Sequence, residues 1–330
     1  MKHFIIALLA LSSAGWTAAA TTKLPKQAPA MPVFSTDAVN DPQIRQTVIA
    51  KSKSAASLRA QILLNRAHFS VGEVDGTFGG NSVKAVRAFQ EARGLNVTGV
   101  VDASTWEQLN QENAPVLTTY VITAMDGAGP FMQIPATMAE KSALPALGYS
   151  SLLEALGERF HVSPKLLKQL NPRAAFTENE EIVVPAIRTS LVGKAARVVV
   201  DKSDRTVTAY DADGKIMASY PSTIGSEHDP LPIGKWKVNG TARNPPFFYN
   251  PKLFWDAKST DTKAKIPPGP NNPVGVAWID LSKEHYGIHG TPEPSKIGYT
   301  ESHGCIRLTN WDVTELAGLV APGVAVILQE

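Results

Sequence analysis

The apolar residues of this chain change period part-way along it, and that change limits what it can fold into. Between Ser57 and Leu109 they recur at helical spacing: Leu58, Ile62, Leu63 and Leu64, then Val83, Val86 and Phe89, then a short run from Ser104. From Arg197 the text turns β-rich, starting with Val198, Val199 and Val200 and then Thr206-Val207-Thr208-Ala209-Tyr210. A pattern with one period does not settle into the other structure. The 330 residues therefore divide into several folding units, with a mainly β domain last.

Turn residues mark the joints. Gly72 to Gly80, Gly94-Leu95 and Thr98 to Asp102 separate three helices, which predicts a small three-helix domain over residues 55–112. Residues 113–191 read as a small α+β module: strands at Tyr120 to Ile122 and Ile182 to Pro185, with helices Leu152 to Phe160 and Pro164 to Leu170 between them. A proline- and alanine-rich insertion, Asp126 to Gly148, parts its first strand from its first helix. Residues 192–330 form the β domain, with further strands at 216–220, 234–238, 275–281, 287–289, 305–308 and 325–328. Its one clear helix starts at Thr309 and is stopped by Pro322-Gly323.

Residues 1–20 have a basic start, an apolar run from Phe4 to Ala14 and an Ala18-Ala19-Ala20 end, the form of a secretory signal peptide. Residues 21–54 read as a Pro/Ala-rich linker, with a short helix over Asp41 to Lys53. No later stretch is long enough to span a bilayer, so no integral membrane segment is expected after signal cleavage. Removing Lys2 from 32 basic residues leaves 31 against 30 acidic, a formal charge of +1. No basic field points to nucleic acid.

Cys305 is the single cysteine, so an intrachain disulfide is closed to it. A buried thiol is the ordinary fate of a free cysteine. Here the neighbours Ser302, His303 and Gly304 are polar or permissive, which points to a site. A thiol attacks as its thiolate, whose pKa falls beside a histidine, so a histidine partner is expected. His303 lies along the same backbone, whereas His289 arrives on another strand and is better able to face the sulfur. His289 is the expected base and His303 a neighbour that shapes the pocket.

Three stretches resemble known families. Asp75-Gly76, Phe78-Gly79, Ala88-Phe89-Gln90, Gly94-Leu95, Thr98-Gly99 and Thr105-Trp106 resemble the peptidoglycan-binding domain of wall enzymes. Glu158 to Ser163 and Leu170-Asn171-Pro172 resemble a LysM module, with the insertion as a departure from its pattern. His289-Gly290-Thr291 followed by Ser302-His303-Gly304-Cys305-Ile306-Arg307, with Ile266 to Pro273, is similar to the YkuD-type L,D-transpeptidases over residues 195 to 329. The resemblance implies a mainly β, YkuD-like β-sandwich and a cysteine acyltransferase acting on peptidoglycan stem peptides. It implies Cys305 as nucleophile, His289 as base, the Gly290 carbonyl orienting that ring, and oxyanion donors around Gly304 and Cys305. Ser302, Arg307 and Tyr249 are assigned to substrate binding, Arg307 as a carboxylate clamp or a partner of a protein carboxylate. No cofactor is implied.

An L,D-carboxypeptidase on the same site is the nearest alternative. A zinc peptidase would use His285, His289, His303 and Cys305, but Tyr286-Gly287-Ile288 is poor helix text and no glutamate lies between the histidines. A wall-binding protein with an inactive enzyme domain finds no support in the motif. The expected partner is peptidoglycan, in the periplasm or cell wall, with the acceptor and oligomeric state left open.

Overall fold

The computed structural model describes Met1 and residues 34–112, 114–187 and 189–330. Apart from Met1, the expected signal peptide lies outside the described residues. The chain begins with α1 (Thr36–Asn40), α2 (Ala55–Arg66), α3 (Gly80–Ala92) and α4 (Ala103–Leu109). Ser54 and Asp102 cap α2 and α4 by accepting from Ser57 and Thr105 N–H. Two buried amides pin the turns between these helices. Gln61 Oε1 accepts the Gly76 N–H, and its Nε2 donates to Asp75, Thr77 and Ser82. Gln90 does the same for Thr98, Gly99, Val100 and Thr105. Gly76 and Gly99 have φ of +77° and +74°, where a side chain would be strained.

The expected helix at 41–53 does not form. Asp41 precedes a proline and is extended, so α1 ends at Asn40, and Val48 instead bridges Val101. The segment 34–54 is also no tether, because Phe34, Val39 and Val48 are buried in the core.

Next come β1 (Leu117–Val121), α5 (Ala124–Gly127), α6 (Met138–Ser142), α7 (Leu152–Arg159), α8 (Pro164–Leu170) and β2 (Glu181–Pro185). β1 and β2 pair antiparallel, Tyr120 opposite Ile182. Leu156, Leu166, Leu167, Ile182 and Val184 join the same apolar cluster as Leu58, Phe89 and Trp106. The helical and middle regions thus share one core.

The last region contributes β3 (Arg197–Asp201), β4 (Thr206–Tyr210), β5 (Ile216–Pro221), β6 (Gly234–Arg243), β7 (Phe247–Tyr249), β8 (Ala264–Ile266), β9 (Ala277–Leu281), β10 (Gly287–His289), β11 (Ile306–Arg307), α9 (Asn310–Leu319) and β12 (Ala325–Gln329). Eight of these strands form one sheet in the order β11-β10-β9-β6-β12-β3-β4-β5. The sheet curls until its ends meet: Thr223, just past β5, exchanges both backbone hydrogen bonds with Arg307 of β11. On the outer side of β5, Ser219 bonds the backbone of His68 and Ser70 from the helical region. Val200, Ile279, Ile288, Ile306 and Leu328 fill the curl together with Val313 and Leu316 of α9.

β7 and β8 make a separate two-stranded ribbon. Under it lies a small core of Leu147, Tyr249 and Ile266, ringed by Ile134, Met138, Leu144, Phe247 and Phe254. Four of these residues come from the insertion of the middle module, which docks on the ribbon. Leu147 N–H donates to Pro268 O at 2.9 Å and its carbonyl accepts from Asn271 at 3.0 Å.

Candidate active site

Cys305 stands immediately before β11, which runs parallel to β10 with Ile288 opposite Ile306 and His289 opposite Arg307. Side chains alternate along strands, so Ile288 and Ile306 enter the core while Cys305, Arg307 and His289 share the other face. The register sets Cys305, Arg307 and His289, the expected nucleophile, cation and base, on one face.

His289 is 4% exposed, and its position follows from two contacts. Its Nδ1–H donates to Gly290 O at 2.7 Å. A carbonyl only accepts, so Nδ1 carries the proton and Nε2 keeps its lone pair. On the antiparallel neighbour, Trp278 lies opposite His289 and stacks on the ring, centroids 5.3 Å apart and planes within 13°.

Burial, helped by the positive Arg307, pushes His289 down to about 3. Burial also pushes the Cys305 thiol up, against a Gly287 N–H and the charge of Arg307, which favour the thiolate. The sequence leads one to expect a thiolate drawn down by its histidine; the resting pair is instead a neutral thiol and a neutral imidazole, because desolvation outweighs the nearby charges. The thiol proton faces the His285 carbonyl, 3.7 Å from Sγ.

Arg307 is half-buried, and its Nε finds no hydrogen-bond partner among the described residues. An unpaired guanidinium nitrogen on the face of Cys305 and His289 suits a carboxylate.

The remaining expected residues divide between wall and scaffold. Gly304 has φ +98°, and a β-carbon there would stand 3.1 Å from the Tyr286 hydroxyl. Ser302 is buried, and its hydroxyl donates to the Cys305 carbonyl at 2.6 Å, holding the turn. His303 does not join His289: its Nε2 is 2.9 Å from Asp256 Oδ1, and its ring packs on Phe254 and Trp255. Trp255 in turn stacks on His228. His303 therefore ties the loop between β7 and β8 to the turn that carries Cys305. Tyr249 lies in the small core under the ribbon, its hydroxyl donating to Asp261.

The four donors of the zinc alternative do not converge, since His285 is exposed beside Glu284 and His303 pairs with Asp256. No three His, Cys, Asp or Glu side chains gather as a ligand set among the described residues. Trp278, Asp256, Tyr286 and Asn310 belong to the site but carry no motif of their own. Only strand register or loop docking brings them in.

A family model for the YkuD L,D-transpeptidase catalytic domain matches residues 195–328, and one for a peptidoglycan binding domain matches residues 54–109. A Bacillus licheniformis protein that bears the name L,D-transpeptidase YkuD is 31% identical over 177 residues, 53% of this chain and 91% of its own length. The protein of the same name from Bacillus subtilis is 30% identical over 178 residues, 53% of this chain and 92% of its own. A solved L,D-transpeptidase 3 from Mycobacterium tuberculosis, carrying a faropenem-derived adduct, is 19% identical with a TM-score of 0.35, covering 47% of this chain and 76% of that one. On the relatives' identity and coverage, the chain belongs to the YkuD family of L,D-transpeptidases.

Proposed function

We propose that this chain is an exported peptidoglycan L,D-transpeptidase with Cys305 as nucleophile and His289 as base. One observation carries the reading: the Gly290 carbonyl fixes the His289 tautomer, which leaves the Nε2 lone pair available on the face that holds Cys305. His289 Nε2 takes the thiol proton as Sγ attacks the carbonyl of the third stem residue. Backbone N–H groups around Gly304 and Cys305 receive the oxyanion, where loss of one donor typically costs about 3 kcal/mol in barrier. His289 then protonates the leaving amine of D-alanine, and a thioester remains. An amine on a second stem attacks this thioester, His289 accepts its proton and returns it to the sulfur. Arg307 holds a substrate carboxylate beside the reacting bond, and the 250–263 loop, tied down by His303, forms one wall.

The two upstream regions fit the same polymer. Residues 55–112 would bind peptidoglycan, and residues 113–191 would be a LysM-like module in which α5 and α6 of the insertion stand between β1 and the α7–α8 pair that leads to β2. Residues 1–20 would direct export to the periplasm or wall. No helix among the described residues is long and apolar enough to cross a membrane.

The test is intact-protein mass spectrometry of residues 21–330 with a purified disaccharide tetrapeptide. A thioester on Cys305, release of D-alanine and a dimer joined through third residues are expected. Tripeptide alone would make the chain a carboxypeptidase, and turnover by Cys305→Ala would overturn the mechanism.

A further inference from the structure

Glu158 belongs to α7 of the middle module, yet it is one residue removed from the loop that holds His289. The link is Asn310, the first residue of α9 and 2% exposed. Its Nδ2 donates to Glu158 Oε1 and to Pro270 O, both at 3.2 Å. Its Oδ1 accepts the Val276 N–H, also at 3.2 Å. That oxygen occupies the space where two glycines lack side chains: a β-carbon would fall 2.3 Å from it on Gly290 and 2.1 Å on Gly275. Gly290 supplies the carbonyl that orients His289. Carbonyl and N–H partners leave the amide one orientation, and every arm of it is used.

We propose that Glu158 is a positioning residue for His289, acting through Asn310, so that the middle module completes the hold on the Gly290 loop. The inference rests on His289 being the base. Without the Glu158 oxygen, a buried Nδ2–H loses its acceptor, and Asn310 is free to turn toward another. The Gly290 carbonyl moves with it, and the imidazole loses its fixed tautomer. Burial pushes Glu158 up to about 8, against its Asn310 bond, so at neutral pH it is a neutral acceptor that a glutamine can replace. Glu158 and Asn310 also line a cavity of about 460 Å³ between the middle module and α9, whose walls do not include Cys305 or His289. The network reaches the catalytic face from behind.

The experiment compares full-length wild type, Glu158→Ala, Glu158→Gln and Glu158→Met for thioester formation with the disaccharide tetrapeptide. The His289 tautomer is followed in parallel by ¹⁵N NMR. Misplacement of a reacting group by an ångström costs up to about a hundredfold, and this indirect hold is expected to give about a tenfold lower kcat in the alanine and methionine variants, with KM within about twofold. Their His289 signal should shift from pure Nδ1–H toward a mixture, while Glu158→Gln restores both readouts. Wild-type kcat and tautomer in folded Glu158→Met would overturn the inference, as would a glutamine variant as impaired as the methionine one. Should the alanine variant fail to fold, the methionine variant keeps the volume and removes only the acceptor. If wild type itself forms no thioester, the proposed function fails, while the tautomer comparison still decides the role of Glu158.

Discussion

His289 and Cys305 rest uncharged, and that shapes how the reaction responds to pH. With the imidazole lowered to about 3 and the thiol raised, neither group changes protonation between about pH 5 and pH 8. Acylation rate plotted against pH should therefore lack the acid limb that an ordinary histidine near 6.5 would impose; a limb there would contradict the lowered imidazole. Replacing His289 with alanine should cost the general-base contribution, about 10²- to 10⁴-fold. His303→Ala, which only frees the 250–263 loop, should cost much less. Equal losses in single-turnover thioester formation would mean that the base is misassigned. At this scale the motif made Cys305, His289, Gly290 and Gly304 legible from sequence, because spacing and glycines travel together along the chain. Trp278 was not legible, since its stacking on His289 depends on which strand pairs with β10. Nor was the raised thiol, because burial is a property of the packed site.

The elements that form the site differ in how well their text announces them. α9 was readable from Thr309 and its capped first turn, and the structure starts it at Asn310 with Thr309 accepting from Asp312 N–H. The β7–β8 ribbon is not legible in the sequence, because each strand has three residues, too few to show alternation. The docking of the insertion Asp126 to Gly148 is not legible in its text, because its partner lies more than a hundred residues later. Its docking residue Leu147 is fully buried between insertion and ribbon. Leu147→Ala should cost about 2–5 kcal/mol, as large-to-small changes in cores do. The ribbon loop should then cleave faster in limited proteolysis, at sites within 250–263. Unchanged cleavage would show that the ribbon stands without the insertion. Gly290→Ala should be costly for a different reason, since its β-carbon meets Asn310. Overpacking of this kind costs about 1–3 kcal/mol, and thioester formation should slow with it.

At the scale of the molecule, the described residues from Phe34 to Glu330 form one compact unit, held together by contacts such as Ser70 Oγ to Asp312 at 2.8 Å and Asn81 Nδ2 to Ile297 O at 2.9 Å. The period change located the regions, but the shared core between helical and middle regions was hidden, because apolar residues do not name their partners. Burial raises Glu73 to about 7 and Glu158 to about 8 from a usual 4.5. The folded chain therefore holds protons that the unfolded chain releases, and stability present below pH 4.5 is lost as pH rises through 7 and 8. His289 acts in reverse, losing stability as pH falls from 6.5 toward 3. Thermal midpoints should fall between pH 5 and pH 8, and Glu158→Gln should make that fall shallower; an identical slope would place Glu158 in water. The closed seam of the main sheet has a further consequence. β5 is covered by residues 68–70 and β11 is paired with Thr223, so neither terminal strand offers a free row of backbone donors and acceptors. An extended peptide that reached Cys305 could not add itself there as another strand. Under the proposed function, the substrate would have to be recognised by its side groups and its charged ends.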